Sequence, residues 1–130
     1  QNQVTLLGFR TDVLELCKSA DIFIFPSRQE GLPVALMEAM ACKTMVLCSA
    51  IRGNTDLINK YEYLFNQDDY NDIVSKMKNI ICKRTREEIL KIYLSQTENN
   101  YTKLEAFDKC EVEKRMENIY LSLTMDNKES

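Results

Sequence analysis

Pro26-Ser27-Arg28-Gln29-Glu30-Gly31-Leu32-Pro33-Val34-Ala35-Leu36-Met37-Glu38-Ala39-Met40 is the stretch on which the fold turns. Ahead of it, the apolar run Ile22-Phe23-Ile24-Phe25 reads as a strand that stops at Pro26. Pro33 suits the first position of a helix, where its missing N–H costs nothing. A short loop therefore joins a strand to a helix. One carboxylate, Glu30, lies in that loop, and a second, Glu38, lies eight positions on along the young helix.

Outward from this junction the chain alternates. Ile22–Phe25 shows no polar alternation, as expected of a strand covered on both faces in a parallel sheet. Val4-Thr5-Leu6-Leu7, closed by Gly8, reads as an earlier strand, Thr44–Cys48 as the next, and Glu62–Phe65 as a final edge strand. Between them, Thr11 or Asp12 can cap a helix that carries Val13, Leu14, Leu16, Cys17 and Ala20, and Asp12 with Glu15 has the spacing of a capping box. The helix from about Pro33 to Cys42 is apolar nearly all round and is expected to be deeply packed. Ala50 to Thr55 reads as a loop, and Asp56-Leu57-Ile58 starts a short helix. Strand, helix, strand, helix, strand is the pattern of a parallel α/β sheet with right-handed crossovers, a Rossmann-like architecture with flanking helices.

From Asn71 the chain reads as helical. Ile73, Val74, Met77, Ile80 and Ile81 form an amphipathic stripe, and Thr85 with Glu88 makes a second capping box ahead of Ile89, Ile92 and Tyr93. Thr97 to Thr102 is polar and reads as a turn. A last helix carries Val112, Met116, Ile119, Tyr120 and Leu123, and Asp126 to Ser130 is expected to fray. Residues 1–70 are thus expected to form the α/β core and 71–130 a helical C-terminal extension of the same domain. Lys76, Lys78, Lys83, Arg84 and Arg86 read as a solvated basic face with acidic neighbours.

Composition narrows the function. The chain has 130 residues, one domain's worth, with 45% hydrophobic and 28% charged residues. A net charge of -3 without a clustered basic face argues against nucleic acid as a partner. Five dispersed cysteines, no Cys-x-x-Cys pair and no histidine argue against a zinc site and for a reducing compartment, the cytosol. The missing histidine also removes the usual general base. No apolar run approaches the roughly 18 residues of a membrane span, and the Gln1-Asn2-Gln3 start is no signal peptide. So abrupt a start reads as a piece cut from something longer.

In an open α/β sheet, ligands bind outside the carboxyl ends of the strands, where Glu30 and Gly31 fall. Gly31 lets backbone approach a ligand, and the free N–H groups of the first helical turn, with the helix dipole, suit a phosphate. Glu38 lies about 7–8 Å along the helix from Pro33 and can accept hydrogen bonds from a vicinal diol such as a ribose. Glu30 can do the same for sugar hydroxyls. Taken alone, Glu30 reads equally well as a solvated loop residue. Glu38 is harder to dismiss, because it interrupts a helix of Val, Ala, Leu and Met.

Glu30-Gly31-Leu32-Pro33 through Glu38-Ala39-Met40-Ala41 resembles the E-x7-E motif of retaining GT-B glycosyltransferases of family 4. Val4 to Phe9, Ala20 to Ser27, Val46 to Ser49 and Gly53 to Ile58 resemble the flanking segments, so the likeness covers roughly residues 4–60. The resemblance implies a truncated C-terminal donor-binding domain that transfers a sugar from a nucleotide-diphosphate sugar, UDP- or GDP-linked, to an acceptor glycan or lipid-linked sugar. It implies Glu30 as the catalytic-site contact to the transferred sugar and Glu38 as the ligand of the donor's ribose. The backbone of Gly31, Leu32, Pro33 and Val34 would approach sugar and diphosphate. No metal and no cofactor beyond the donor is implied, and the leaving phosphate takes the acceptor's proton. Polysaccharide or glycolipid synthesis in the cytoplasm, or at the inner face of a membrane, is the expected setting.

Two features depart from the family pattern. Lys43 and Met45 stand where Gly and Pro are usual, which implies a local change in the turn after the helix. Upstream strands carrying an Arg and a Lys for the diphosphate, and the N-terminal acceptor domain, are missing from this chain. Such a fragment is expected to be inactive alone. The rival reading is a non-catalytic nucleotide-sugar binding or partner module whose acceptor half is on another chain; a plain α/β interaction domain is a third.

Overall fold

Three parallel strands make the sheet: β1 (Ile22–Phe25), β2 (Met45–Ser49) and β3 (Leu64–Phe65), in that spatial order. The structure, a computed structural model, describes residues 3–82, 85–108, 110, 112 and 114. β1 and β2 run in register from Ile22 opposite Met45 to Phe25 opposite Cys48, whereas β3 meets only the end of β2, at Cys48 and Ser49. All of β2 is buried, which is why it can be an unbroken apolar run. Around the sheet lie α1 (Val13–Ser19), α2 (Val34–Ala41), α3 (Asn54–Leu57), α4 (Tyr70–Ile81) and α5 (Arg86–Leu104). The architecture is the Rossmann-like α/β sandwich that the alternating pattern implied.

Val4 to Leu7 is not a strand. The segment takes no regular structure, and Leu6 and Phe9 stand 93% and 94% exposed. An apolar run becomes a strand only where another strand pairs its N–H and C=O groups, and among the described residues β1 pairs with β2 alone. The expected strand at Glu62–Phe65 also shrinks: Tyr61–Tyr63 is a 3-10 turn and only Leu64 and Phe65 join the sheet. At α1, Asp12 is the N-cap, but its carboxylate is taken by the Arg10 guanidinium in a two-point pair, so no capping box forms with Glu15.

The start of α2 falls one residue later than expected, with Pro33 as its N-cap. The helix is also less enclosed than its composition suggested. Leu36, Ala39 and Met40 are buried, while Val34 and Ala41 face solvent, so one face packs and the other is open. After α2, Lys43 takes φ of 57°, the left-handed turn where glycine is usual.

The polar turn expected at Thr97 to Thr102 does not exist, because α5 runs through it to Leu104. The reason lies in Gln96. Its amide nitrogen donates to the Val46 carbonyl at 2.8 Å and its oxygen accepts from the Val46 N–H at 3.0 Å. β3 is too short to pair with β2 at Val46, and the Gln96 side chain supplies the missing ladder partner. Tyr93 and Lys103 fasten the same helix to the carbonyls of Lys43 and Leu57, each at 2.8 Å. Thr85 and Glu88 form the expected capping box, and Asp69 caps α4. Lys76 is not on a solvated face: it is buried, donates to the Tyr61 carbonyl at 2.8 Å and lies over the Tyr61 ring. Lys83, Arg84 and most of the expected last helix lie outside the described residues.

Candidate functional site

β1 and β2 end side by side, and their exit loops are bound to each other. The Ser49 hydroxyl, at the last residue of β2, donates to the Ser27 carbonyl at 2.5 Å. Asn54, fully buried at the start of α3, donates from Nδ2 to the Ser49 carbonyl and hydroxyl at 3.0 and 3.1 Å. Ser27 in turn donates its hydroxyl to Glu30 Oε1 at 2.6 Å. Asn54, Ser49, Ser27 and Glu30 thus form one chain of contacts from the core to the loop. The Asn54 Oδ1 atom is buried with no hydrogen-bond partner among the described residues.

Gly53 closes the arrangement from the other side. Its φ is +89°, and a Cβ placed there would lie 2.9 Å from the Glu30 carbonyl oxygen. Only a glycine lets the β2–α3 loop press against the Glu30 loop at that distance. Gly31 is the opposite case, with nothing within 4 Å of where a Cβ would point. Open space above its Cα is what close approach by a ligand requires.

The two carboxylates do not share one cavity. Glu30 and Gly31 line a cavity of about 460 Å³ with Arg28, Ile51 and Arg52. Glu38 lines a larger cleft of about 660 Å³ with Leu32, Val34, Met37, Tyr101 and Phe107. Gly31 belongs to the first and Leu32 and Val34 to the second, so the start of α2 is the wall between them. Pro33 is buried beneath it. No side chain caps α2 and its first turn holds no acid, which leaves that helix start available to an anion. The larger cleft pairs aromatic rings with carboxylates: Glu105 and Asp108 join Glu38 there, opposed by Lys114.

The sequence profile described as glycosyl transferases group 1 matches residues 1–97, three quarters of the chain, and Glu30, Gly31 and Glu38 fall inside the match. The chain belongs to the group 1 glycosyl transferases.

Relatives of this glycosyltransferase chain are named for diphosphoundecaprenol-linked sugars or for capsular polysaccharide biosynthesis. It is 30% identical over 100 residues to a UDP-Gal:α-D-GlcNAc-diphosphoundecaprenol α-1,3-galactosyltransferase of Escherichia coli, covering 69% of this chain and 26% of that protein. It is 31% identical over 112 residues to an N,N'-diacetylbacillosaminyl-diphospho-undecaprenol α-1,3-N-acetylgalactosaminyltransferase of Campylobacter jejuni, covering 78% and 30% respectively. A capsular polysaccharide biosynthesis glycosyltransferase of Staphylococcus aureus matches at 26% identity over 94% of this chain and 32% of its own length. The chain therefore spans less than a third of each of these relatives. No solved structure matches it.

Of the residues that the sequence singled out, Glu30 and Gly31 come together in one cavity, and Leu32, Val34 and Glu38 in the other. Ser27, Ser49, Gly53, Asn54 and Arg52 surround the Glu30 loop, and sequence reasoning gave none of them a role there. A serine at the end of an apolar strand, as at Ser49, was the available signal. Among the described residues no group of acidic or cysteine side chains converges as a metal site, and no helix is long and apolar enough to cross a membrane.

Proposed function

We propose that this glycosyltransferase chain binds the donor, a nucleotide-diphosphate sugar, across the start of α2. The observation that carries the reading is the division of the two carboxylates between cavities meeting at that uncapped helix start. The nucleoside occupies the larger cleft, its ribose hydroxyls donating to Glu38 and its base against the rings of Tyr101 or Phe107. The diphosphate lies over Gly31 to Val34, facing the helix dipole. The transferred sugar sits in the smaller cavity, where Glu30 accepts from its hydroxyls.

Transfer then follows the course that the family 4 resemblance implies. The bond between the anomeric carbon and the β-phosphate oxygen breaks, and the electron pair leaves with the nucleoside diphosphate. The acceptor hydroxyl attacks from the same face and gives its proton to the departing phosphate, so configuration is retained. The sequence holds no histidine to act as base, and this route needs none. It needs no metal, because the helix start and basic side chains offset the leaving charge. The acceptor, a glycan or lipid-linked sugar, is held by a domain outside this chain, and the setting is the cytoplasm or the inner face of a membrane. Two of the relatives are named for diphosphoundecaprenol-linked acceptors, which supports a lipid-linked class.

Calorimetric titration with UDP, GDP and ADP, on the chain and on Glu38→Ala, tests the reading. One nucleotide binds, and loss of the Glu38 carboxylate weakens it by about 1–3 kcal/mol. Binding of none of the three, or binding indifferent to Glu38, overturns it.

A further inference from the structure

The Glu30 cavity holds a carboxylate and two guanidinium groups, and sugar hydroxyls alone do not explain the guanidiniums. They are not equivalent. Arg28 pairs with Asp68 at 3.2 Å, so its charge is already answered within the chain. Arg52 forms no ion pair among the described residues, and it stands exposed on the rim of the cavity. Its backbone is fixed by its neighbour, since Gly53 is held against the Glu30 carbonyl and Asn54 is bonded to Ser49. A guanidinium presented on so restrained a loop loses less freedom on binding than one on a mobile segment.

We infer that Arg52 is a ligand for the distal phosphate of the bound donor, a residue for the leaving group. The inference rests on the proposed placement of the diphosphate over Gly31 to Val34. Gly31 and Arg52 line the same cavity, so a phosphate seated at the Gly31 end of the helix start lies in the cavity that Arg52 also lines. Planar, always-charged guanidinium binds phosphate oxygens in pairs, and a bond between two charged groups is about twice as strong as a neutral one. Negative charge grows on that phosphate as the sugar leaves, so the contact strengthens as the reaction proceeds. Glu30, in the same cavity, keeps the sugar hydroxyls oriented, and Arg52 holds the group from which the sugar departs.

Titrations of the chain with nucleoside mono- and diphosphates, on the unsubstituted protein and on Arg52→Gln, Arg52→Lys and Arg28→Gln, decide it. Arg52→Gln weakens the diphosphate about tenfold or more while leaving the monophosphate of the same base within about twofold. Arg52→Lys, keeping charge without the planar fork, falls between. Arg28→Gln has the smaller effect. Equal weakening of mono- and diphosphate, or none, overturns the Arg52 inference and leaves the Glu38 reading intact. Failure of the unsubstituted chain to bind UDP, GDP or ADP overturns both. An effect of Arg52→Gln on UDP-glucuronate but not on UDP or UDP-glucose assigns Arg52 to a sugar carboxylate, and also overturns the phosphate assignment.

Discussion

The Ser27 hydroxyl donates to Glu30 Oε1 at 2.6 Å, and the Ser27 carbonyl is itself held by Ser49 at 2.5 Å. A half-buried carboxylate on an exposed loop would sample several rotamers; this one is aimed by a bond rooted in the last residue of the central strand. The second oxygen of Glu30 remains to accept from a ligand. Ser27→Ala should therefore cut the affinity that the sugar adds to the nucleotide. The expected loss is about 1 kcal/mol in the difference between nucleotide-sugar and free nucleotide, with free nucleotide binding unchanged. Ser27→Thr keeps the hydroxyl and most of the difference. Equal losses for both ligands would mean that Ser27 supports the loop and does not aim the carboxylate.

The two loop glycines should respond in opposite ways. Gly53→Ala meets the Glu30 carbonyl at 2.9 Å with φ at +89°, so both sterics and backbone resist it. A loss of about 1–3 kcal/mol in urea unfolding is expected, because two loops must part. Gly31→Ala places its methyl in open space, and stability should stay within about 0.5 kcal/mol. Its cost should fall on donor binding, where the methyl occupies the approach of the sugar. A Gly31→Ala chain that binds nucleotide-sugar normally would remove Gly31 from the site.

Gln96 carries more of the fold than its polarity suggests. Replacing it with Leu leaves both the N–H and the carbonyl of Val46 unpaired in the core. Each orphaned group costs about 1–3 kcal/mol, so Gln96→Leu should be among the most destabilising single changes in α5. Amide exchange at Val46 reports it directly, with protection lost there well beyond that at Leu47. Unchanged protection at Val46 would mean that water or another side chain replaces the amide.

These residues mark where the sequence stopped being readable. Met45–Ser49 was legible because a buried parallel strand needs an apolar run, and that need leaves a local signal. Ile22–Phe25 carried the same signal and is a strand, but it is not covered on both faces: its residues are half-buried and Ile24 is exposed. Glu30 and Glu38 stood out by contrast with an apolar helix and by motif. Val4–Leu7 carried the same apolar signal as β1 and yet is no strand, because strand formation depends on a partner that local composition cannot name. Thr97 to Thr102 failed in the reverse direction: its polarity suggested a turn where α5 continues, and only the shortness of β3 reveals why the buried amide of neighbouring Gln96 is wanted beside β2. The bonds from Asn54 through Ser49 to Ser27 link residues up to 22 positions apart, a distance over which spacing says nothing.

Cys48, in the middle of the sheet beside the Glu30 loop, makes the fold sensitive to alkali. Burial pushes its thiol up to about 12 from an ordinary value of 9.0. Cys17 is raised as well, first by burial, then by Cys42 and the Glu38 carboxylate. A thiol raised in the folded state keeps its full stabilising contribution below about pH 9, and that contribution is lost as pH climbs toward 12. The stability of the chain should therefore fall between pH 9 and 11 with a slope approaching 1.4 kcal/mol per unit from Cys48, by the equivalence of one pKa unit and about that energy. Cys48→Ala removes a buried sulfur atom and lowers stability at neutral pH, so the comparison is between slopes and not between absolute values. Urea midpoints measured at intervals from pH 7.5 to 11 should converge for the two proteins as the thiolate forms in the unfolded state of one and is absent from the other. Parallel curves would show that the Cys48 thiol does not govern the alkaline limit.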